Sequence, residues 1–307
     1  AIIWVFVLSL GFYGLKGGVF TILHGGVYRV QGPFGTFIGG NNELALALVM
    51  TIPLIRYLQL QEKHHLVKVG LSIGMFLTVI AAIGSQSRGA LVALLLTGLI
   101  FWIKSRKKIV TAVFIIVAGL AVISIMPESW YARMNTINSY ESDGSAMGRI
   151  NAWWTAWNLA THRFFGGGFE MWQIPVFQQY APNPGDVHDA HSIYFKVLGE
   201  HGFVGLFLFL LLLGMVWFKC RSIIKISKNY IDKQWASDLA AMVQVSMVAY
   251  LTGGAFLGLA YFDYIYHLMA VVVVVHYLVK EPELAGQGSA QVNPSETRSN
   301  AGLSAIR

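Results

Sequence analysis

FVGLFLFLLLLGMVWF, residues 203–218, contains no charged residue and no hydroxyl or amide side chain. Lys219 and Arg221 follow at once. A helix needs roughly 20 mostly apolar residues to cross a bilayer, and extending this run back to Ser192 supplies them. In lipid every backbone N–H and C=O must be paired within the protein, and a helix does this without a closed barrel. The segment 192–218 therefore predicts a membrane-spanning helix. Seven further apolar stretches have the same character: 1–15, 42–59 with Pro53 inside it, 66–84, 89–103, 109–126, 236–257 and 262–279. The expected fold is all-α, a polytopic transmembrane helical bundle of about eight helices with a large, partly helical loop.

Composition points the same way. Hydrophobic residues make up 55% of the 307 positions and charged ones only 12%, and the mean hydropathy is +0.58. A soluble chain of this size needs more surface charge than 22 Lys and Arg with 15 Asp and Glu supply. A soluble enzyme, a disordered chain and a disulfide-rich module are disfavoured together. The net charge of +7 does not indicate nucleic acid, because the cations cluster between apolar runs. Lys104, Arg106, Lys107 and Lys108 form one cluster, and Lys219, Arg221, Lys225, Lys228 and Lys233 another. That is the distribution of cytoplasmic membrane loops. The single Cys220 excludes an intrachain disulfide and a cysteine-based metal cluster.

Orientation follows from these loops. Segments 60–68, 104–108 and 219–235 are basic and alternate correctly, so they are assigned to the cytoplasm. Segments 16–41, 85–88, 127–191 and 258–261 then lie on the outer face. Between 127 and 200 the acids Glu128, Glu141, Asp143, Glu170, Asp186, Asp189 and Glu200 outnumber Arg133, Arg149, Arg163 and Lys196, which agrees. Residues 1–280 read as one membrane domain. The chain opens on Ala1 and runs directly into apolar sequence, so its first helix is expected to be N-terminally incomplete. Residues 281–307, rich in Gly, Ser, Ala, Asn and Gln, read as a disordered cytoplasmic tail.

The outer loop 127–191 is too long to be a plain connection. From Met147 to Phe165, the apolar residues Ile150, Trp153, Trp154, Trp157 and Leu159 recur at helical steps, predicting a helix along the membrane surface. Asp143 or Ser145 is suited to cap its start, and Gly166, Gly167 and Gly168 to end it. Pro175, Pro182, Pro184 and Gly185 then shape an irregular path to His188, Asp189, Ala190 and His191.

Three places carry candidate chemistry. Arg88 stands between two apolar helices in GSQSRGA, residues 84–90. A helix-end arginine sometimes only snorkels to the interface, but the positive-inside rule gives no reason for one on the outer side. Ser85, Gln86 and Ser87 add donors and Gly89 permits close approach, a combination that suits a phosphate or diphosphate. Arg149 opens the loop helix; it is either an ordinary surface residue or an anion-holding one beside free backbone N–H groups. The segment His188 to His191 has three readings. It supplies metal ligands with Asp186 or Asp189, structural histidines, or a general base at His191 with a helix dipole holding its pKa down and Asp189 or Glu200 assisting. Tyr194, three residues on, shares its face if the helix has begun. Lys196 and Glu200 mark the membrane boundary or line a cavity. Gly199, Gly202 and Gly205 suit tight packing. Asp263 with Tyr261, Tyr264 and Tyr266 is a weaker cavity candidate, and His267 and His276 read as packing or pore residues.

The pattern resembles the O-antigen ligase and polymerase superfamily of bacterial inner-membrane glycosyltransferases, and within it the O-glycosylation ligases associated with exosortase systems. The resemblance rests on Ser87-Arg88-Gly89-Ala90 and on Gly148-Arg149 followed by Trp153, Phe165-Gly166 and Gly168. His191-Ser192 with Tyr194, then Glu200, Gly202 and Gly205, completes it. Many relatives have Asn where this chain has Ser192, a departure in the subfamily pattern. The likeness covers most of 30–280. It implies transfer of a glycan from an undecaprenyl diphosphate carrier to a lipid, glycan or protein hydroxyl at the periplasmic face of the inner membrane. The transfer is expected to invert the anomeric carbon and to need neither metal nor cofactor. It implies Arg88, Arg149 and His191 as the catalytic set. Gln86, Ser87, Trp153, His188, Asp189, Tyr194 and Glu200 are expected to bind substrate. The expected partners are the lipid-linked donor, its acceptor and membrane lipids, with no nucleic acid.

Two other functions fit parts of the pattern. A transporter or flippase of a lipid-linked or anionic solute explains the outer arginines but predicts mid-membrane polar residues and paired repeats, which the sequence lacks. A non-catalytic scaffold leaves Arg88, Arg149 and His191 without a role.

Overall fold

The computed structural model describes residues 1–105, 107–135, 144–228 and 230–289. Among these lie eleven α-helices. They are α1 (Ile2–Leu23), α2 (Asn41–Gln61), α3 (His65–Gly84), α4 (Arg88–Lys104), α5 (Lys108–Ile125), α6 (Glu128–Asn135), α7 (Gly144–His162), α8 (Ile174–Tyr180), α9 (Ile193–Ser227), α10 (Gln234–Gly253) and α11 (Asp263–Ser289). The chain is a polytopic helical membrane protein. Each of the eight apolar stretches becomes a long helix. Five of them, α1, α2, α3, α9 and α11, are by themselves long and apolar enough to span. Of the others, α4 is shorter at 17 residues, α10 carries Asp238 and is less apolar, and α5 is an apolar helix of 18 residues. Helix α1 runs on to Leu23, well past the expected end at 15. Helix α11 runs on to Ser289, past the boundary expected at 280, and 290–307 lie outside the described residues with Arg106, Glu141 and Asp143.

Helix α2 is the axis of the bundle. Its side chains from Leu44 to Ile55 are all buried, enclosed by α1, α3, α4 and α10. Pro53 inside it cannot donate to the carbonyl four residues back and crowds the preceding turn. Ser246 of α10 repairs that turn, its hydroxyl donating to Met50 O at 2.7 Å, the kind of neighbour bond that lets proline persist in membrane helices. Helices α1 and α3 meet through small residues. A Cβ on Gly18 would lie 2.3 Å from Leu77 O, so only glycine allows this approach.

The surface helix appears as α7, but its buried stripe is not the tryptophan face. Gly148, Asn151, Ala152, Thr155, Ala156, Leu159 and Ala160 face the protein, whereas Trp154 and Trp157 are exposed. Small residues win the interior because α7 lies flat against α9. Helix α7 begins at Gly144, so Ser145 stands inside it rather than capping it.

Helix α9 is broken at Gly202, whose φ of 65° and ψ of −163° are not helical. The break frees carbonyls, and the 164–168 loop takes them. Gly167 N donates to Gly199 O at 2.8 Å, Gly168 N to Glu200 O at 2.9 Å, and Phe203 N to Phe164 O at 3.1 Å. The two backbones touch: a Cβ on Gly202 would lie 2.0 Å from Phe164 O, and one on Gly166 would lie 2.5 Å from Gly202 N. Gly202→Ala should therefore cost at least about 1–3 kcal/mol, the usual price of a glycine-only backbone region, plus the clash. A thermal melt of the purified protein should drop by several degrees, whereas Gly214→Ala, with open space at its Cβ, should melt as wild type. Equal melting of both variants would show that the crossing is not needed for stability.

Candidate active site

The connections 24–40, 85–87, 126–192 and 254–262 gather at one end of the bundle, here the loop end. Between α3 and α4 the chain turns within Ser85, Gln86 and Ser87, all buried. Gln86 has φ 58°, a left-handed conformation that costs a residue with a Cβ about 1–2 kcal/mol. Its amide offsets this by donating to Gly26 O at 3.0 Å and Val27 O at 3.3 Å, pinning the segment after α1. Asn41 Nδ2, at the start of α2, donates to Ser85 O at 2.8 Å. Ser87 caps α4, its hydroxyl oxygen accepting from Ala90 N at 3.3 Å. The polar groups expected to meet a phosphate are thus engaged inside the protein. Gln86 and Ser87 brace the turn, and half-buried Arg88 follows as the first residue of α4.

The 254–262 turn ties Arg88's helix to the histidine segment. A Cβ on Gly89 would lie 3.1 Å from Phe256 Cβ; one on Gly258 would lie 3.1 Å from Asp189 Oδ2 and 3.9 Å from His191 Nδ1. Tyr250 OH holds the turn by donating to Leu259 O at 3.0 Å and Ala260 O at 3.1 Å. Ile193 N at the head of α9 donates to Gly254 O at 2.7 Å.

Helix α7 grips the same segment from the other side. Trp153 Nε1 donates to Ala190 O at 2.7 Å, and its ring stacks on Phe195 at 5.0 Å and 9°. His188 lies over Gly148, where a Cβ would come within 2.8 Å of Nδ1. That nitrogen is 2.7 Å from Asp186 Oδ1. Asn151, a residue the sequence reading passed over, donates to Asn183 O and Asp186 O at 2.9 Å each and accepts from Asn183 N at 2.9 Å. It anchors the proline-rich path to α7, through partners more than 30 residues away in the chain.

His191 has φ 43° and precedes Ser192, the cap of α9. It stands one position outside the helix, so the i, i+3 relation to Tyr194 does not apply. Tyr194 OH instead donates to Leu251 O at 2.8 Å, a tie between α9 and α10. The His191 imidazole pKa lies below its ordinary 6.5. The main cause is burial; Asp189 opposes it, Arg149 adds to the lowering, Glu43 opposes and His188 adds. The direction is the expected one, and burial is its main cause. Arg149 sits in the second turn of α7, not at its start, so the free N–H groups of the first turn do not flank it. Glu43 is a carboxylate the sequence reading did not single out. An acid in the first turn of an otherwise apolar α2 marks it.

Asp189 and Glu200 are held by Lys196. Lys196 Nζ lies 2.7 Å from Asp189 Oδ1 and 3.3 Å from Glu200 Oε1. Asp189 Oδ2 also accepts from His191 N at 3.3 Å, so it fixes the backbone of the histidine. Glu200 is buried, accepts from Trp172 Nε1 at 2.9 Å, and is hydrogen-bonded by Tyr261 OH. Glu200 therefore joins the loop after α7, helix α9 and the 254–262 turn. Burial and the adjoining carboxylate raise the Tyr261 pKa, keeping it a neutral donor.

Below Arg88, Leu91, Leu94, Leu95 and Gly98 of α4 line an apolar groove of about 350 Å³ with α3 and α5, which extends to Met126 and Trp130. A second apolar groove of about 420 Å³ lies between Trp153, Trp154, Trp157 and Phe195.

Residues 73–210 match the family model described as O-antigen ligase, a span that holds Arg88, Arg149 and the whole 188–200 segment. Over that span the chain is similar to the O-antigen ligase family. No curated protein matches it. No group of three or more His, Cys, Asp or Glu side chains that could hold a metal ion occurs among the described residues. His267 packs its ring on Phe6 at 5.8 Å, and His276 lies 3.4 Å from Ser222 Oγ.

The charges around His191 fix the sign of a titration. Its NMR titration in selectively labelled protein should fall below 6.5. Arg149→Gln removes a lowering charge and should move the midpoint up; Glu43→Gln removes a raising one and should move it further down. A midpoint unmoved by either substitution would show that these side chains do not share His191's surroundings.

Proposed function

We propose that this protein is an O-antigen-ligase-like glycosyltransferase that transfers a glycan from an undecaprenyl diphosphate carrier to a hydroxyl acceptor at the periplasmic face of the inner membrane, with His191 as general base and Arg88 and Arg149 as the diphosphate clamp. The observation that carries this reading is a partly buried imidazole, held neutral beside a guanidinium, at the end of the bundle where Arg88 also starts its helix. In the proposed step the acceptor oxygen attacks the anomeric carbon from the face opposite the diphosphate. The acceptor proton passes to the His191 imidazole, the bond from the anomeric carbon to the diphosphate oxygen breaks, and its electron pair leaves with the diphosphate. The configuration inverts. An acceptor hydroxyl is far less acidic than imidazolium, so the proton moves only as the new bond forms. Such general-base help is typically worth about 10²–10⁴ in rate. Arginine suits the leaving group because its planar fork binds two phosphate oxygens at once and stays charged. The apolar groove below Arg88 is of the right character for an isoprenoid tail. Asp189, Lys196 and Glu200 position His191, while His188 and Trp153 hold the segment against α7.

Three measurements test this. His191→Ala should lower transfer by about 10²–10⁴ and leave donor binding near wild type. Loss of donor binding in proportion to transfer would move His191 into the diphosphate site, and unchanged transfer would place the base elsewhere. Arg88→Lys keeps the charge without the fork and should abolish most transfer at unchanged abundance in the membrane, so near-normal transfer would remove Arg88 from the clamp. A chelator should leave the wild-type rate unchanged; inactivation reversed by added zinc would overturn the metal-free reading.

A further inference from the structure

The opposite, basic end of the bundle holds a recess of about 690 Å³ between α4, α9 and α10. Lys104, Arg221, Lys225 and Lys228 line it with Trp217 and Gln244, and among the described residues no carboxylate is in its lining. None of these residues takes part in the proposed transfer.

Arg221 and Lys225 of α9 and Lys228, the helical-φ residue that caps it, follow one another at steps of four and three, so they share one face. Like charges at that spacing repel. Among the described residues none of the three forms an ion pair. The fourth cation comes from another helix. Lys104, the last residue of α4, is half-buried and donates to Gln244 Oε1 at 2.7 Å. Gln244 is 2% exposed, and its amide nitrogen donates to Trp217 O at 3.2 Å. The buried amide thus holds the ammonium at the wall of the recess, close enough to Arg221 for the two charges to interact. The positive-inside rule accounts for cations at this end in general. It does not account for their convergence from two helices on a concave space with no counter-charge, or for a buried glutamine whose hydrogen bonds fix one of them. Trp217 adds an indole at the lip, a side chain suited to the depth of lipid headgroups.

We infer that this recess binds a phosphate-bearing anion, whose two possible sources are the headgroup of an anionic lipid in the adjoining leaflet and free phosphate. Basic pockets between membrane helices on this side are suited to such headgroups. Bound phosphate oxygens would relieve the repulsion among the three α9 cations, and the Arg221 fork would supply the paired contact.

The test uses the full chain in nanodiscs of zwitterionic lipid, titrated with phosphatidylglycerol, cardiolipin or inorganic phosphate. Thermal stability is read beside lipid retention by native mass spectrometry. An anionic lipid should raise the melting temperature and remain bound. R221Q/K225Q/K228Q should melt as wild type without added anion and bind the lipid on the order of 100-fold more weakly. K63Q/K107Q/K280Q removes three exposed cations of the same end outside the recess and should bind it as wild type. An equal response to inorganic phosphate that the recess variant loses would keep the site and assign it to free phosphate. Equal weakening in both triple variants would reduce the effect to diffuse surface charge and overturn the site, as would the absence of any response in wild type.

Discussion

Two glycine backbones crossing, Gly166 over Gly202, hold the loop end together. The break in α9 exposes the carbonyls of Gly199 and Glu200, and in a membrane helix such groups must find donors within the protein. The N–H groups of Gly167 and Gly168 supply them. The contact fastens the end of the α7 connection to the middle of α9. Glu200, two turns into that helix, then reaches Trp172, Lys196 and Tyr261 together. Without the crossing the α9 carbonyls would be unpaired and the buried carboxylate would lose the partners that make its burial tolerable.

Lys196 transmits this fixation toward the chemistry. Its ammonium lies between Glu200 and Asp189, and Asp189 holds the backbone N–H of His191. The left-handed φ of His191 is therefore maintained from two sides, by Asp189 ahead of it and by the Ile193 bond to Gly254 behind it. Strain of this kind persists only where its surroundings over-determine it. The imidazole is left with neutral character and an arginine nearby, which is the state a proton acceptor beside an anionic substrate requires.

The helices were legible because a membrane demands long apolar runs, and eight such runs are unmistakable even where Pro53 interrupts one. The candidate histidine and both arginines stood out because charged or titratable groups beside apolar helices, on the face that the basic loops assign as outer, have few ordinary reasons to be there. What could not be read was which polar groups are already satisfied internally. Gln86 and Ser87 look like ligand donors in a line of sequence, and only the approach of the Gly26–Val27 carbonyls and the capping geometry of α4 show them engaged. Glu43 and Asn151 went unnoticed for the converse reason, since their partners are distant in the chain. The helix of α7 was legible from its spacing, but the small-residue stripe that lays it against the protein, opposite the exposed Trp154 and Trp157, was not.

A single measurement separates a transferase from a carrier of the same substrate. Wild-type protein in sealed vesicles, given a lipid diphosphate-linked glycan labelled in both sugar and lipid together with an acceptor, is assayed for the fate of each label. The account predicts glycosylated acceptor and free lipid diphosphate in equal amounts, formed on the periplasmic face. Movement of the intact, doubly labelled donor between leaflets with no cleavage would contradict it.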